Sequence, residues 1–175
     1  NVWCPDLFFR AEPGLELDPT IEAQFALGAE IMQELDTPTT LSDLESTRAQ
    51  LAEKLGHENI AAVGYCLGGR LVVEMAANSP IKAAVSYYGV NLQNVIPPMG
   101  DTAPALLHIA ENDAWVPAEA REVIQAEVAQ REGWESHVYA GCDHAFARPK
   151  GAHFDAEADA LAVERSMDFL ARHTA

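Results

Sequence analysis

The sequence predicts an α/β protein, a mostly parallel sheet with helices on both faces. Short apolar runs of strand length alternate with longer stretches of helical period. Several of those runs are continuously apolar, as strands buried on both faces are. A glycine-flanked turn also lies where one run gives way to a helix. With 175 residues the chain has the length of one domain, 1–175, able to bury a core without disulfides or metal.

In chain order, Ile21, Phe25, Gly28, Met32 and Leu35 recur at helical spacing, predicting an amphipathic helix over 21–35 ended by Asp36, Thr37 and Pro38. A second helix is expected after Thr40, whose spacing to Asp43 resembles a capping box. It carries Leu41, Leu44, Leu51 and Leu55 and stops at Gly56. The run at 59–63 reads as a buried strand, 67–78 as helix, and 81–88 and 105–110 as further strands. Pro117 opens a helix over 117–131 with Ala120, Ile124 and Val128 inward. A strand at 134–140 and a helix at 155–172, with Leu161, Met167 and Leu170 on its inner face, complete the pattern. Loops are expected at 97–101 and 147–154, and there is no internal repeat.

Eleven Lys and Arg against 27 Asp and Glu give a net charge of −16. That charge repels phosphate backbones and anionic lipid, which argues against nucleic-acid and membrane-surface partners. No apolar run approaches the ~20 residues of a membrane helix, and residues 1–6 have no signal-peptide character. The chain starts with Asn1 rather than Met, which suggests upstream sequence removed. Three dispersed cysteines, Cys4, Cys66 and Cys142, fit a reducing cytoplasm.

The most informative segment is GYCLGG at 64–69, a strand-to-helix junction with the form of a nucleophile elbow carrying Cys in place of Ser. Small residues are expected two before and two after the nucleophile, where a Cβ would clash, and Gly64 and Gly68 meet that requirement. The helix N-terminus favours a Cys66 thiolate, and the Leu67 N–H is a candidate oxyanion donor. A plain buried thiol would account for Cys66 but not for its glycines. The segment lacks the Lys and Ser/Thr of a phosphate loop.

Such a nucleophile needs an acid and then a His from later loops. Asp113 follows the strand at 105–110, and His144 follows the strand at 134–140. Both lie at C-terminal strand ends, where open α/β sheets bind ligands. Glu111 and Asp143 are rivals for the acid. His57, His108, His137, His153 and His173 read as structural. Cys66, Cys142 and His144 lack the fourth ligand and paired spacing of a closed zinc site, so no metal is expected.

At these residues the chain resembles the dienelactone hydrolase (carboxymethylenebutenolidase) family of α/β-hydrolases. Five blocks appear in family order: PDLFFR at 5–10, GYCLGG at 64–69, YYG at 87–89, NDAWVP at 112–117 and HAFAR at 144–148. The resemblance implies an α/β-hydrolase fold and a catalytic triad of Cys66, Asp113 and His144. It implies a substrate carboxylate held by Arg10 and Arg148, for which planar bidentate guanidinium groups are suited. The implied activity is hydrolysis of a small anionic lactone or ester, most concretely dienelactone to maleylacetate, through an acyl-thioester and with no cofactor. The alternatives are a catalytically silent relative, or a thiol-redox protein in which Cys142 resolves an oxidised Cys66.

The resemblance further implies sequence before the first block: initial strands, a helix, a Glu facing the thiol and a second oxyanion N–H. The expectation is therefore a sheet lacking its N-terminal strands, through truncation of the sequence or completion by a partner chain. An open edge of that kind favours self-association.

Overall fold

The computed structural model describes residues 1–96 and 102–175, so the loop expected at 97–101 lies outside the described residues. The chain divides into two compact units, Asn1–His57 and Glu58–Ala175.

The first unit holds α1 (Glu22–Glu34) and α2 (Thr37–Leu55). The expected amphipathic face of α1 is not buried: no side chain of the helix is, and Phe25 remains 54% exposed. Its apolar residues Phe25, Leu27, Ile31 and Met32 are spread around the helix, so no single stripe forms. The α2 helix starts one turn earlier than expected. Asp36 caps it, accepting the Thr39 N–H at 3.0 Å, and Pro38 sits in the first turn. Asp36, Thr37 and Pro38 therefore open the second helix rather than closing the first. Gly56 ends α2 in the left-handed region at φ 72°.

The second unit contains β1 (Ala62–Tyr65), α3 (Leu67–Asn78), β2 (Ala84–Tyr87), β3 (Ala105–Ala110), α4 (Ala118–Val128), β4 (Trp134–Tyr139) and α5 (Ala156–His173). A 3-10 turn, Leu92–Asn94, follows β2. The four strands form one parallel sheet in the order β1-β2-β3-β4. Connections of one hand carry α3 and α4 to the same face, and α5 takes the other. The α5 face is the side of Val85, Tyr87 and Leu106, packed with Phe146, Ala158, Ala162 and Phe169. The outcome is the parallel, helix-flanked sheet the sequence predicts.

The inner face of α5 differs from expectation. Ala158, Ala162, Ser166 and Phe169 are buried, while Leu161 and Met167 are 41% and 63% exposed. Small side chains let this helix approach the sheet, and Ser166 reaches a buried polar cluster. Its hydroxyl donates to Ala162 O at 2.8 Å and so must accept from Tyr87 Oη at 2.8 Å and His108 Nε2 at 2.9 Å. His108 Nδ1 then accepts from Tyr139 Oη at 2.8 Å. Every proton has one place to go when His108 is neutral. Burial, then the charges of His137 and Arg165, push its pKa down to about 3.

Candidate active site

β1 ends at Tyr65 and α3 begins at Leu67, which leaves Cys66 alone to make the turn. It does so at φ 54° and ψ −116°, a conformation costing a non-glycine residue ~1–3 kcal/mol. Hydrogen bonds hold the strained unit: the Cys66 N–H donates to Tyr87 O at 3.0 Å, and its carbonyl accepts from Arg70 N at 3.2 Å. Gly64 is required because a Cβ there would strike the Gly68 carbonyl. The expectation for Gly68 needs correction, since a Cβ there would meet open space. Gly69 carries that restriction instead, its Cβ position lying 2.8 Å from Ser86 Oγ and 2.9 Å from Gly89 Cα. The Leu67 N–H stands in the first turn of α3, where helix geometry leaves donors without intrahelical acceptors.

The loop after β3 buries Asp113 to 3% exposure. Its Oδ1 accepts the Trp115 backbone N–H at 2.8 Å, and its Oδ2 meets Nδ1 of His144 at 2.7 Å. The two rival carboxylates are turned elsewhere. Glu111 accepts the Gly141 N–H at 2.8 Å, and Asp143 accepts the backbone N–H of His144 at 2.8 Å and faces His153 at 3.4 Å. His144, from the loop after β4, contacts Asp113 and stands close enough to Cys66 for the sulfur to favour its charged form. The three residues thus gather at the C-terminal ends of β1, β3 and β4.

Burial pulls the His144 pKa down, but the hydrogen bonds to Asp113 and Cys66 and their charges outweigh it, and the value rises to about 9. Two aromatic residues flank the imidazole: Tyr88 at 5.1 Å between ring centres and Trp115 at 6.3 Å. Sequence reasoning gave neither a place in the site. Tyr88 is buried with φ 40°, and its hydroxyl pKa is pushed up by burial against a lowering pull from Arg148. A bulky residue directly before Gly89, in a block shared with the family, was the available signal.

Arg148 lies on an exposed loop near enough to Tyr88 to be felt electrostatically. Arg10 belongs to the first unit, and there Asp43 takes its guanidinium in a two-point contact, Nε to Oδ2 at 2.7 Å and Nη2 to Oδ1 at 2.8 Å. That hydrogen bonding raises the Arg10 pKa and lowers the Asp43 pKa. Cys4, Cys66 and Cys142 are all free thiols. Cys142 is buried, and burial raises its pKa, which makes it a poor nucleophile. Among the described residues no group of three His, Cys, Asp or Glu side chains gathers as a metal site, and no helix is long and apolar enough to cross a membrane.

Comparison with known proteins agrees with this arrangement at the level of family. An Azospirillum brasilense chain assigned as a carboxymethylenebutenolidase is 38% identical over 178 aligned residues, covering 97% of this chain and 74% of that one. The carboxymethylenebutenolidase of Pseudomonas putida is 36% identical, covering 96% and 72%. A crystal structure from Klebsiella pneumoniae, assigned as a dienelactone hydrolase, superposes with a TM-score of 0.77 at 28% identity, covering 96% of this chain and 73% of that one. The Dienelactone hydrolase family profile matches residues 1–174. The chain is therefore a hydrolase of the α/β-hydrolase fold and belongs to the dienelactone hydrolase family.

Proposed function

We propose that this chain hydrolyses a small anionic lactone, most concretely dienelactone to maleylacetate, with Cys66 as nucleophile, His144 as proton carrier and Asp113 as orienting carboxylate. The observation that carries the reading is the 2.7 Å contact of His144 with a buried Asp113, beside a Cys66 held in a strained turn and near enough to raise the imidazole pKa. Asp113 occupies Nδ1, so the other ring nitrogen serves the sulfur, which is the tautomer the chemistry needs.

In this mechanism Cys66 Sγ attacks the lactone carbonyl carbon and its proton resides on His144. The carbonyl oxygen becomes an oxyanion that accepts from the Leu67 N–H, and positive potential at the start of α3 stabilises it. Collapse breaks the ring C–O bond, giving a thioester whose leaving enolate remains on the same molecule and takes up the proton held by His144. Water then adds to the thioester carbonyl, giving a proton to His144, and the C–S bond breaks to return that proton to sulfur. Arg148 is the carboxylate anchor from the loop carrying His144. Arg10, whose guanidinium holds the Asp43 carboxylate at two points within its own unit, already makes the kind of bidentate contact that a substrate carboxylate would need. The free thiols suit a cytoplasmic setting.

The test is turnover of dienelactone beside a neutral aryl ester such as p-nitrophenyl acetate, for the wild-type chain and for Cys66→Ala. Loss of at least about a thousandfold in the variant, with the anionic lactone preferred, is expected. Retained turnover in Cys66→Ala overturns the nucleophile assignment. A folded chain that turns over neither substrate is a silent relative, and the proposal fails.

A further inference from the structure

Trp115 is a large aromatic residue left 54% exposed beside the candidate site. The residue does help hold Asp113, but through its backbone N–H at 2.8 Å, which almost any amino acid would provide. Among the described residues its one ring neighbour is His144, at 6.3 Å and an interplanar angle of 50°. Trp134 shows what a structural tryptophan looks like in the same molecule. It is 7% exposed, its indole N–H donates to Thr102 Oγ1 at 3.2 Å, and Arg131 lies over its ring at 5.3 Å. An indole held half in water leaves apolar area unburied, an arrangement that becomes favourable once a ligand covers it.

The position of Trp115 narrows what that ligand is. His144 has two aromatic ring neighbours: Tyr88, buried and edge-on at 5.1 Å, and Trp115, open to solvent at 6.3 Å. A molecule reacting at Cys66 must pass its acyl portion beside this imidazole, and the exposed surface it meets there is the indole. A flat, electron-poor conjugated group gains by stacking on an electron-rich indole, whereas a saturated chain of the same length and charge cannot lie against it with equal contact.

We infer that Trp115 is a specificity-determining residue, a stacking surface that selects planar conjugated acyl groups over saturated ones. The inference rests on the hydrolase reading for where the ligand sits, and deepens it by naming the substrate feature recognised.

Binding separates the two claims, because it can be read without turnover. The probes are muconate, a conjugated six-carbon dicarboxylate, and adipate, its saturated counterpart of equal charge, titrated by calorimetry into wild type, Trp115→Leu and Trp115→Phe. Wild type is expected to prefer muconate by about five- to tenfold. Trp115→Leu should bring the ratio near one by weakening muconate alone, and Trp115→Phe should keep most of the preference. An unchanged ratio in Trp115→Leu, equal weakening of both ligands, or no preference in wild type overturns the inference. Failure of the hydrolase reading shows separately, as turnover that survives Cys66→Ala.

Discussion

At His144 three influences compete, and the proposed reaction would change their balance. Burial disfavours the imidazolium, while Asp113 and Cys66 favour it strongly enough to set its pKa at about 9 in the free chain. In the proposed mechanism, acylation of Cys66 removes that residue's contribution but leaves burial and Asp113 in place, so the imidazole should release its proton more readily in the thioester. His144 then suits proton donation early in the cycle and proton acceptance from water later. The expected outcome is a kcat/KM profile reporting a group near pH 9, and a kcat profile, under rate-limiting deacylation, reporting the same group at lower pH. Coincident profiles would contradict this. In Asp113→Asn the NMR titration of His144 should move down toward or below 6.5, with kcat falling roughly ten-thousandfold. The glycines offer a second test. Gly64→Ala should disrupt the elbow and abolish activity, whereas Gly68→Ala should fold with stability unchanged or raised by ~0.5–1 kcal/mol, measured by urea unfolding.

The elements differ in how plainly their sequences announce them. β3 is an apolar run broken only by His108 after Pro104, and α3 is bounded by the elbow and by Ser79; both fall where the sequence puts them. β1 runs two residues beyond its predicted end, because residues up to Tyr65 pair with β2 before the chain turns. The inner face of α5 was illegible for a more specific reason. Large apolar residues mark a buried face only where there is room for them, and here Ala158, Ala162 and Ser166 meet the sheet closely. Ser166→Ala would deprive both Tyr87 Oη and His108 Nε2 of a partner, costing about 2 kcal/mol in urea unfolding despite the tiny change in volume. In the candidate site, Cys66, Asp113 and His144 were legible because each follows a strand, a local pattern. The Arg10–Asp43 pair joins residues far apart in sequence, and no local pattern announces it.

For the molecule as a whole, stability should fall on both sides of neutrality for different reasons. His108 has its pKa depressed to about 3 in the fold against an ordinary 6.5. Its contribution is fully present above about pH 6.5 and is lost as pH falls toward 3. His144 has its pKa raised to about 9, so its contribution is fully present below about 6.5 and lost as pH rises through 9. Urea unfolding across pH should show His108→Gln flattening the acid limb and Asp113→Asn flattening the alkaline one. A net charge of −16 at pH 7 adds self-repulsion at neutral and alkaline pH, so moderate NaCl there should raise the melting temperature by a few degrees.

The sequential order of the parallel strands also has a meaning in time. During synthesis β1 and the thiol at its end emerge before β2, β3 and β4, and these strands can add one after another toward β4. The loop bearing His144 leaves the ribosome several seconds later at ~5–20 residues per second. Throughout that interval the nascent chain carries the proposed nucleophile without its proposed proton acceptor. On that reading catalytic competence arrives almost last, after most of the sheet that must bear the strain at Cys66 is available.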